Sequence, residues 1–164
     1  WDQSGTMSFV NLAVAEFNRL GASQGISLRA VLEGSASSAN SIRFHIDPND
    51  PLVAGGEFWG ATSNNIDSAG FITGGGRIVF YHMQAVRSVS AHELGHAFGF
   101  WHSNNPSDVM YLGSPMISFT DIEVYVAGAM LRREPKTSWV DADPGTVGAA
   151  SLSGAAHTET IVCR

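Results

Sequence analysis

Between Thr6 and Leu20 the apolar residues Phe9, Val10, Ala13, Val14, Phe17 and Leu20 recur three and four positions apart. That spacing lines one face of a helix, with Ser4 or Thr6 placed to cap its start and Gly21 to end it. The period then drops to two. Ile26, Leu28, Ala30 and Leu32 alternate with Ser27, Arg29 and Val31, and Ile42, Phe44 and Ile46 alternate with Arg43 and His45, predicting two strands. Residues 47–56 are rich in Asp, Asn, Pro and Gly and read as turns. A short strand is expected from Glu57 to Thr62, a loop over residues 67–76, and a further strand from Arg77 to Tyr81. Val86, Val89, Leu94, Ala97 and Phe98 restore the helical period, so a helix should run from Met83 or Gln84 to about Phe98. A last helix, capped by Thr120, is expected from Asp121 to about Arg133, with Ile122, Tyr125, Val126, Ala129 and Met130 on one face and a basic last turn.

A helix lying between paired strands is the βαβ pattern, and the fold expected is mixed, α+β, with a twisted sheet of about four strands and helices packed on it. With 164 residues the chain makes one domain. Composition changes beyond Pro135, and residues 141–160 are rich in Gly, Ala, Ser and Thr with no period. Residues 1–134 therefore read as the folded domain and 135–164 as a linker or tail of low complexity.

Charge narrows the partners. The formal net charge of −6, with Lys136 the only lysine and the arginines scattered, argues against nucleic acid. No apolar run is long enough to cross a bilayer. Cys163 is the only cysteine, so no intrachain disulfide can form. The chain is expected to be a monomer. Gly74-Gly75-Gly76 is not a phosphate loop, because no Lys-Ser/Thr follows it and a strand stands where that motif needs a helix.

The chemistry concentrates in His92-Glu93-Leu94-Gly95-His96-Ala97-Phe98-Gly99-Phe100-Trp101-His102. Residues four apart share a helix face, so His92 and His96 can aim their imidazoles at one point. Zinc accepts neutral imidazole nitrogen and, in catalytic sites, keeps one of four positions open. Gly99 tolerates the positive φ that ends a helix and turns the chain, which can bring His102 back as the third ligand. Glu93 is then left beside the open position as a candidate general base acting on a zinc-activated water.

This pattern, HExxHxxGxxH, followed by Asp108-Val109-Met110-Tyr111, resembles the metzincin zinc endopeptidases and is most similar to the matrixin, or matrix-metalloproteinase-like, group. The resemblance implies a metzincin-like catalytic domain with an active-site helix, a Met-turn in which Met110 floors the metal site, and a final helix. It implies a zinc-dependent endopeptidase acting on proteins or peptides outside the cell. The strand near Phe58, Trp59, Gly60 and Ala61 matches the sheet edge that receives substrate in the clan, where an extended peptide can add as a strand. Leu112, Pro115, Met116 and Ile117 match the wall of the pocket beyond the scissile bond, although the family's Pro-x-Tyr is replaced by Pro115-Met116-Ile117. The strand that matrixins carry before their first helix is missing, so either the domain is incomplete at its N-terminal side, which is the expectation favoured, or its sheet has one strand fewer than its relatives.

Several readings remain open beside this one. Asp47, Asp50 and Asp67 could hold structural calcium, and His45 and His82 a second metal, although turn-forming aspartates and ordinary strand histidines explain them as well. Cys163 could take zinc's open position, as a propeptide cysteine does in matrixins. That cysteine lies upstream in a different local sequence, which favours the plain tail. The rival functions are a catalytically silent protein-binding domain and a zinc exopeptidase.

Overall fold

The computed structural model describes residues 3–22, 25, 27–30, 41–68, 72–130 and 157–163. Helix α1 (Gln3–Gly21) is followed by β1 (Arg43–Ile46), β2 (Gly60–Ile66), β3 (Ile72–Phe80), α2 (Met83–Ala97), α3 (Asp121–Met130) and β4 (His157–Cys163). The four strands form one mixed sheet in the order β1-β3-β2-β4. β1 runs parallel to β3, while β2 is antiparallel to both β3 and β4. Among the described residues no helix is long and apolar enough to cross a membrane.

The core lies where α1 and α2 cover the sheet. Val10, Ala13, Phe17 and Leu20 of α1 meet Val86, Val89 and Leu94 of α2 and Ile78 and Phe80 of β3, all buried. Phe17 is its hub: its ring stacks on Phe98 at 5.0 Å and Phe100 at 6.0 Å and meets Phe119 edge-on at 5.2 Å. Burying one such side chain contributes about 1.5–3 kcal/mol, and each well-oriented ring pair about 0.5–1.5 kcal/mol more. The first helix thereby fixes the segment that leaves α2, which carries the candidate site.

Four expectations about where elements lie, and one about a buried face, are corrected. α1 begins at Gln3, so Ser4 and Thr6 lie inside the helix rather than at its start. Residues 27–30 are not a strand. The reason is local: the Asn18 amide donates to the Leu28 carbonyl at 3.1 Å and accepts the Leu28 N–H at 2.7 Å, leaving neither group for a ladder. Residues 31–40, which hold the rest of that expected strand, lie outside the described residues. The glycine run is not a loop either, because β3 starts at Ile72 and passes through it. A Cβ on Gly76 would stand 3.4 Å from Asn64 Oδ1, so the small residue lets β2 and β3 approach across the register shift between Ser63 and Asn65.

The fourth correction concerns the low-complexity tail. Its residues 157–163 form β4, paired with β2 along its whole length, and residues 135–156 lie outside the described ones. α3 also turns an unexpected face inward. Ile122, Tyr125 and Val126 are exposed, while Glu123 and Ala127 are buried. Glu123 causes this. Its carboxylate accepts from the Thr120 N–H at 2.9 Å and the Met110 N–H at 3.1 Å, while the Thr120 hydroxyl receives the Glu123 N–H at 3.2 Å. This capping box satisfies the start of the helix and ties it to the segment of Met110.

Candidate metal centre

Helix α2 starts at His82, whose Nδ1 accepts the Ala85 N–H at 3.0 Å as an N-cap. His82 is therefore a strand-end residue with a structural partner. The helix ends in a Schellman motif: the Gly99 N–H donates to the His96 carbonyl at 2.9 Å and the Phe100 N–H to the Gly95 carbonyl at 3.0 Å, with Gly99 at φ +83°. The turn carries His102 back over the helix. The His102 ring stands 5.2 Å from that of His92 and 4.8 Å from that of His96, centroid to centroid. All three predicted histidines meet at one point.

Their tautomers follow from the backbone. His92 Nδ1 is 2.7 Å from the Val109 carbonyl oxygen, and His96 Nδ1 is 2.7 Å from the Phe100 carbonyl oxygen. A carbonyl only accepts, so each Nδ1 carries the hydrogen and each Nε2 presents a lone pair. Those two Nε2 atoms lie 3.0 Å apart in a buried setting. Burial pushes His92 down to about 4 and His96 well below its ordinary value, so neither ring readily takes a second proton to relieve the pair. A shared cation is the physical remedy.

The donor set fits zinc. Bonds of about 2.0–2.1 Å to nitrogen and about 2.3 Å to sulfur in a tetrahedron put the ligands about 3.3–3.6 Å apart. Besides the Nε2 pair at 3.0 Å, Cys163 Sγ stands 3.2 Å from His92 Nε2, 3.2 Å from His96 Nε2 and 3.4 Å from His102 Nε2. Among the described residues this is the one group of histidine, cysteine and carboxylate side chains disposed to hold a metal. Asp47 instead receives the Asn49 N–H, and Asp50 receives the Leu52 N–H and pairs with Arg77. His92, His96 and His102 would hold the zinc, with Cys163 the fourth donor in this arrangement.

Glu93 is fully buried beside the cluster. Desolvation pushes its carboxyl up to about 7, against hydrogen bonds from Thr62 and Cys163 that pull it down. The Thr62 hydroxyl is 2.6 Å from Glu93 Oε2, and Asn64 donates its amide hydrogen to the His96 carbonyl at 2.7 Å. Thr62 and Asn64 sit on the buried face of β2. The sequence reading missed both, because polar residues at alternate positions read as the end of a strand. Their spacing of two was the available signal.

Met110 lies under Gly95. A Cβ there would collide with Met110 Sδ and stand 3.0 Å from its Cε. The segment of Met110 also steadies the histidines. Val109 holds the His92 ring, and the Met110 carbonyl receives the Ser103 N–H at 2.8 Å, next to His102. Asp108 accepts from the Ser103 hydroxyl at 2.5 Å and the Asn105 amide at 2.9 Å, closing the loop between the two motifs.

The expected substrate residues divide. Gly60 and Ala61 open β2 and are buried, and a Cβ on Gly60 would come within 2.5 Å of Glu93 Oε1. Phe58 is half-buried, and Trp59 is exposed and packs on His82 at 5.9 Å. Leu112, Pro115, Met116 and Ile117 are exposed. Ile117 lines a shallow crevice with Phe9 and Leu12 of α1 and Arg87 of α2.

Comparison with known protein families matches residues 16–124 to the matrixin family, peptidase family M10. No curated protein and no solved structure matches the chain.

Proposed function

Because the chain belongs to the matrixin family of zinc metalloproteases, we propose that it is a zinc-dependent endopeptidase, secreted as is usual for that family, with Glu93 as its general base. The observation that carries this reading is a buried carboxyl raised to about 7 directly beside a cluster of imidazole nitrogens disposed for a metal. When bound, zinc would polarise the scissile carbonyl and acidify the attacking water. His92, His96 and His102 would hold that ion. Glu93 accepts the proton of the attacking water and delivers it to the departing amine, a two-way task suited to a group poised near neutrality. Thr62 holds the carboxyl in place. The β2 edge, which β4 covers in this structure, would bind the peptide backbone as an added strand once free, and so accept varied sequences. A silent binding domain would have no use for a buried, desolvated carboxyl at this point.

The test is digestion of casein by the zinc-loaded protein, both as the full chain and as a chain ending at residue 156, beside the Glu93→Ala variant of each. Internal cuts by the parent and none by a variant that still binds zinc support the reading. Equal cutting by both removes Glu93 from the mechanism, and release of single residues without internal cuts favours an exopeptidase.

A further inference from the structure

Strand β4 occupies the place a peptide substrate would take. β2 would otherwise be the edge of the sheet, and β4 covers it through seven consecutive pairs, from Gly60 opposite Cys163 to Ile66 opposite His157. The pairing extends one step further, where the Trp59 N–H donates to the Cys163 carbonyl at 2.8 Å. Side chains also join across the two strands: Ser63 Oγ and Thr160 Oγ1 share a hydrogen bond at 3.0 Å, and the Thr158 hydroxyl donates to Asn65 Oδ1 at 3.2 Å. Along β4, Ile161 and Cys163 are buried while Thr158, Thr160 and Val162 are exposed. This is the alternation of a strand seated on a specific face.

The same strand delivers its thiol to all three histidines, at 3.2, 3.2 and 3.4 Å from their Nε2 atoms. Four protein donors make a closed site, whereas catalysis needs one position open. With Cys163 only 1% exposed, neither a peptide carbonyl nor water has room at that position. From these observations we propose that β4 is a built-in inhibitor, holding the β2 edge with its backbone and the metal with Cys163, so that the peptidase is latent until this strand is displaced. The strand acts from within the same chain, at an effective concentration of order millimolar. Free substrates with KM values of about 1 μM to 1 mM compete poorly against it unless abundant. The inhibitory consequence rests on the peptidase reading; the fourth-ligand geometry does not.

The experiment loads the full chain with cobalt(II) in place of zinc and reads the near-ultraviolet sulfur-to-cobalt charge-transfer band. Casein cleavage is measured in parallel with zinc. Two variants are compared with the parent: Cys163→Ser, and a chain ending at residue 156. The expected result is a band in the parent that both variants lose while still binding one equivalent of metal, with casein cleavage rising at least tenfold in both. Stoichiometric cobalt in the parent without the band overturns Cys163 as a ligand. A band with equal, measurable cleavage by parent and variants overturns the inhibition. If the band is present and none of the three cuts casein, the ligand assignment stands and the peptidase reading is what fails. The truncated chain guards against a Cys163→Ser protein that misfolds, and one equivalent of bound cobalt reports an intact site in each.

Discussion

The Thr62 hydroxyl oxygen lies 2.6 Å from Glu93 Oε2 and 3.0 Å from the carbonyl oxygen of the same residue. One hydroxyl hydrogen serves both oxygens in turn. When Glu93 is ionised, Thr62 donates to the carboxylate. When Glu93 holds a proton, it can donate to Thr62, whose own hydrogen then goes to the carbonyl. The carboxyl keeps one position in both states, which suits the proton-carrying role proposed for it. Thr62→Val keeps the shape and removes this partner. Turnover on casein should fall about 10–100-fold, the usual cost of losing a group that orients an active residue. Because the Thr62 bond holds the Glu93 carboxyl down, the acidic limb of kcat/KM should move to higher pH in the variant. A lower rate with an unmoved limb would make Thr62 merely structural.

Gly95 and Met110 form a second matched pair. No side chain fits between the helix and the sulfur. Gly95→Ala should cost on the order of 1–3 kcal/mol through overpacking, read as a lower thermal midpoint of the zinc-loaded protein. Met110→Ala removes the obstacle, so the double variant should lose less than the two singles added together. Strict additivity would mean that the two side chains do not share the space.

The histidine cluster and the adjacent Glu93 were legible in the sequence because they are compressed into eleven residues with helical spacing. Gly99 was legible for the same reason, since a helix stop between His96 and His102 has few solutions. Thr62 and Asn64 were not. Cys163 was a reading the sequence offered but did not favour. All three reach the site through strand pairing, and nothing local in the chain records that residue 163 returns to residue 60. The polar buried face of β2 also broke the alternation rule at the point where it serves Glu93 and His96. The expected face of α3 failed similarly, because a single carboxylate, Glu123, holds the helix by a hydrogen bond to Met110 that apolar periodicity cannot register.

That bond supplies a further prediction. Glu123→Ala leaves the buried Met110 N–H without its carboxylate acceptor and takes away half of the α3 capping box. An orphaned buried donor costs about 1–3 kcal/mol. The effect should also reach the metal, because Val109, one residue before, positions the His92 ring. Zinc affinity should drop about tenfold, within the range seen when a ligand's orienting partner is disturbed. A competition titration with a chromophoric chelator measures it. Lost stability with unchanged affinity would confine Glu123 to the helix.

Removing the metal should expose a proton balance within the site. His92 is pushed from 6.5 down to about 4, and His96 moves the same way. In that window the unfolded chain binds more protons than the folded one, so stability falls as pH falls. Glu93 acts oppositely. Raised from 4.5 to about 7, it leaves the folded chain with more protons in its own window, so its contribution falls as pH rises. A shift of this size corresponds to about 3 kcal/mol over the full window for one group. The windows overlap between 4.5 and 6.5, where two histidines oppose one carboxyl. The metal-free protein should therefore be less stable near about pH 5 than near about pH 7, as measured by urea midpoints. Glu93→Gln deletes the opposing contribution and should steepen that loss. An unchanged slope would mean that Glu93 is not protonated within the fold, and the proton-carrying role assigned to it would then lack its physical basis.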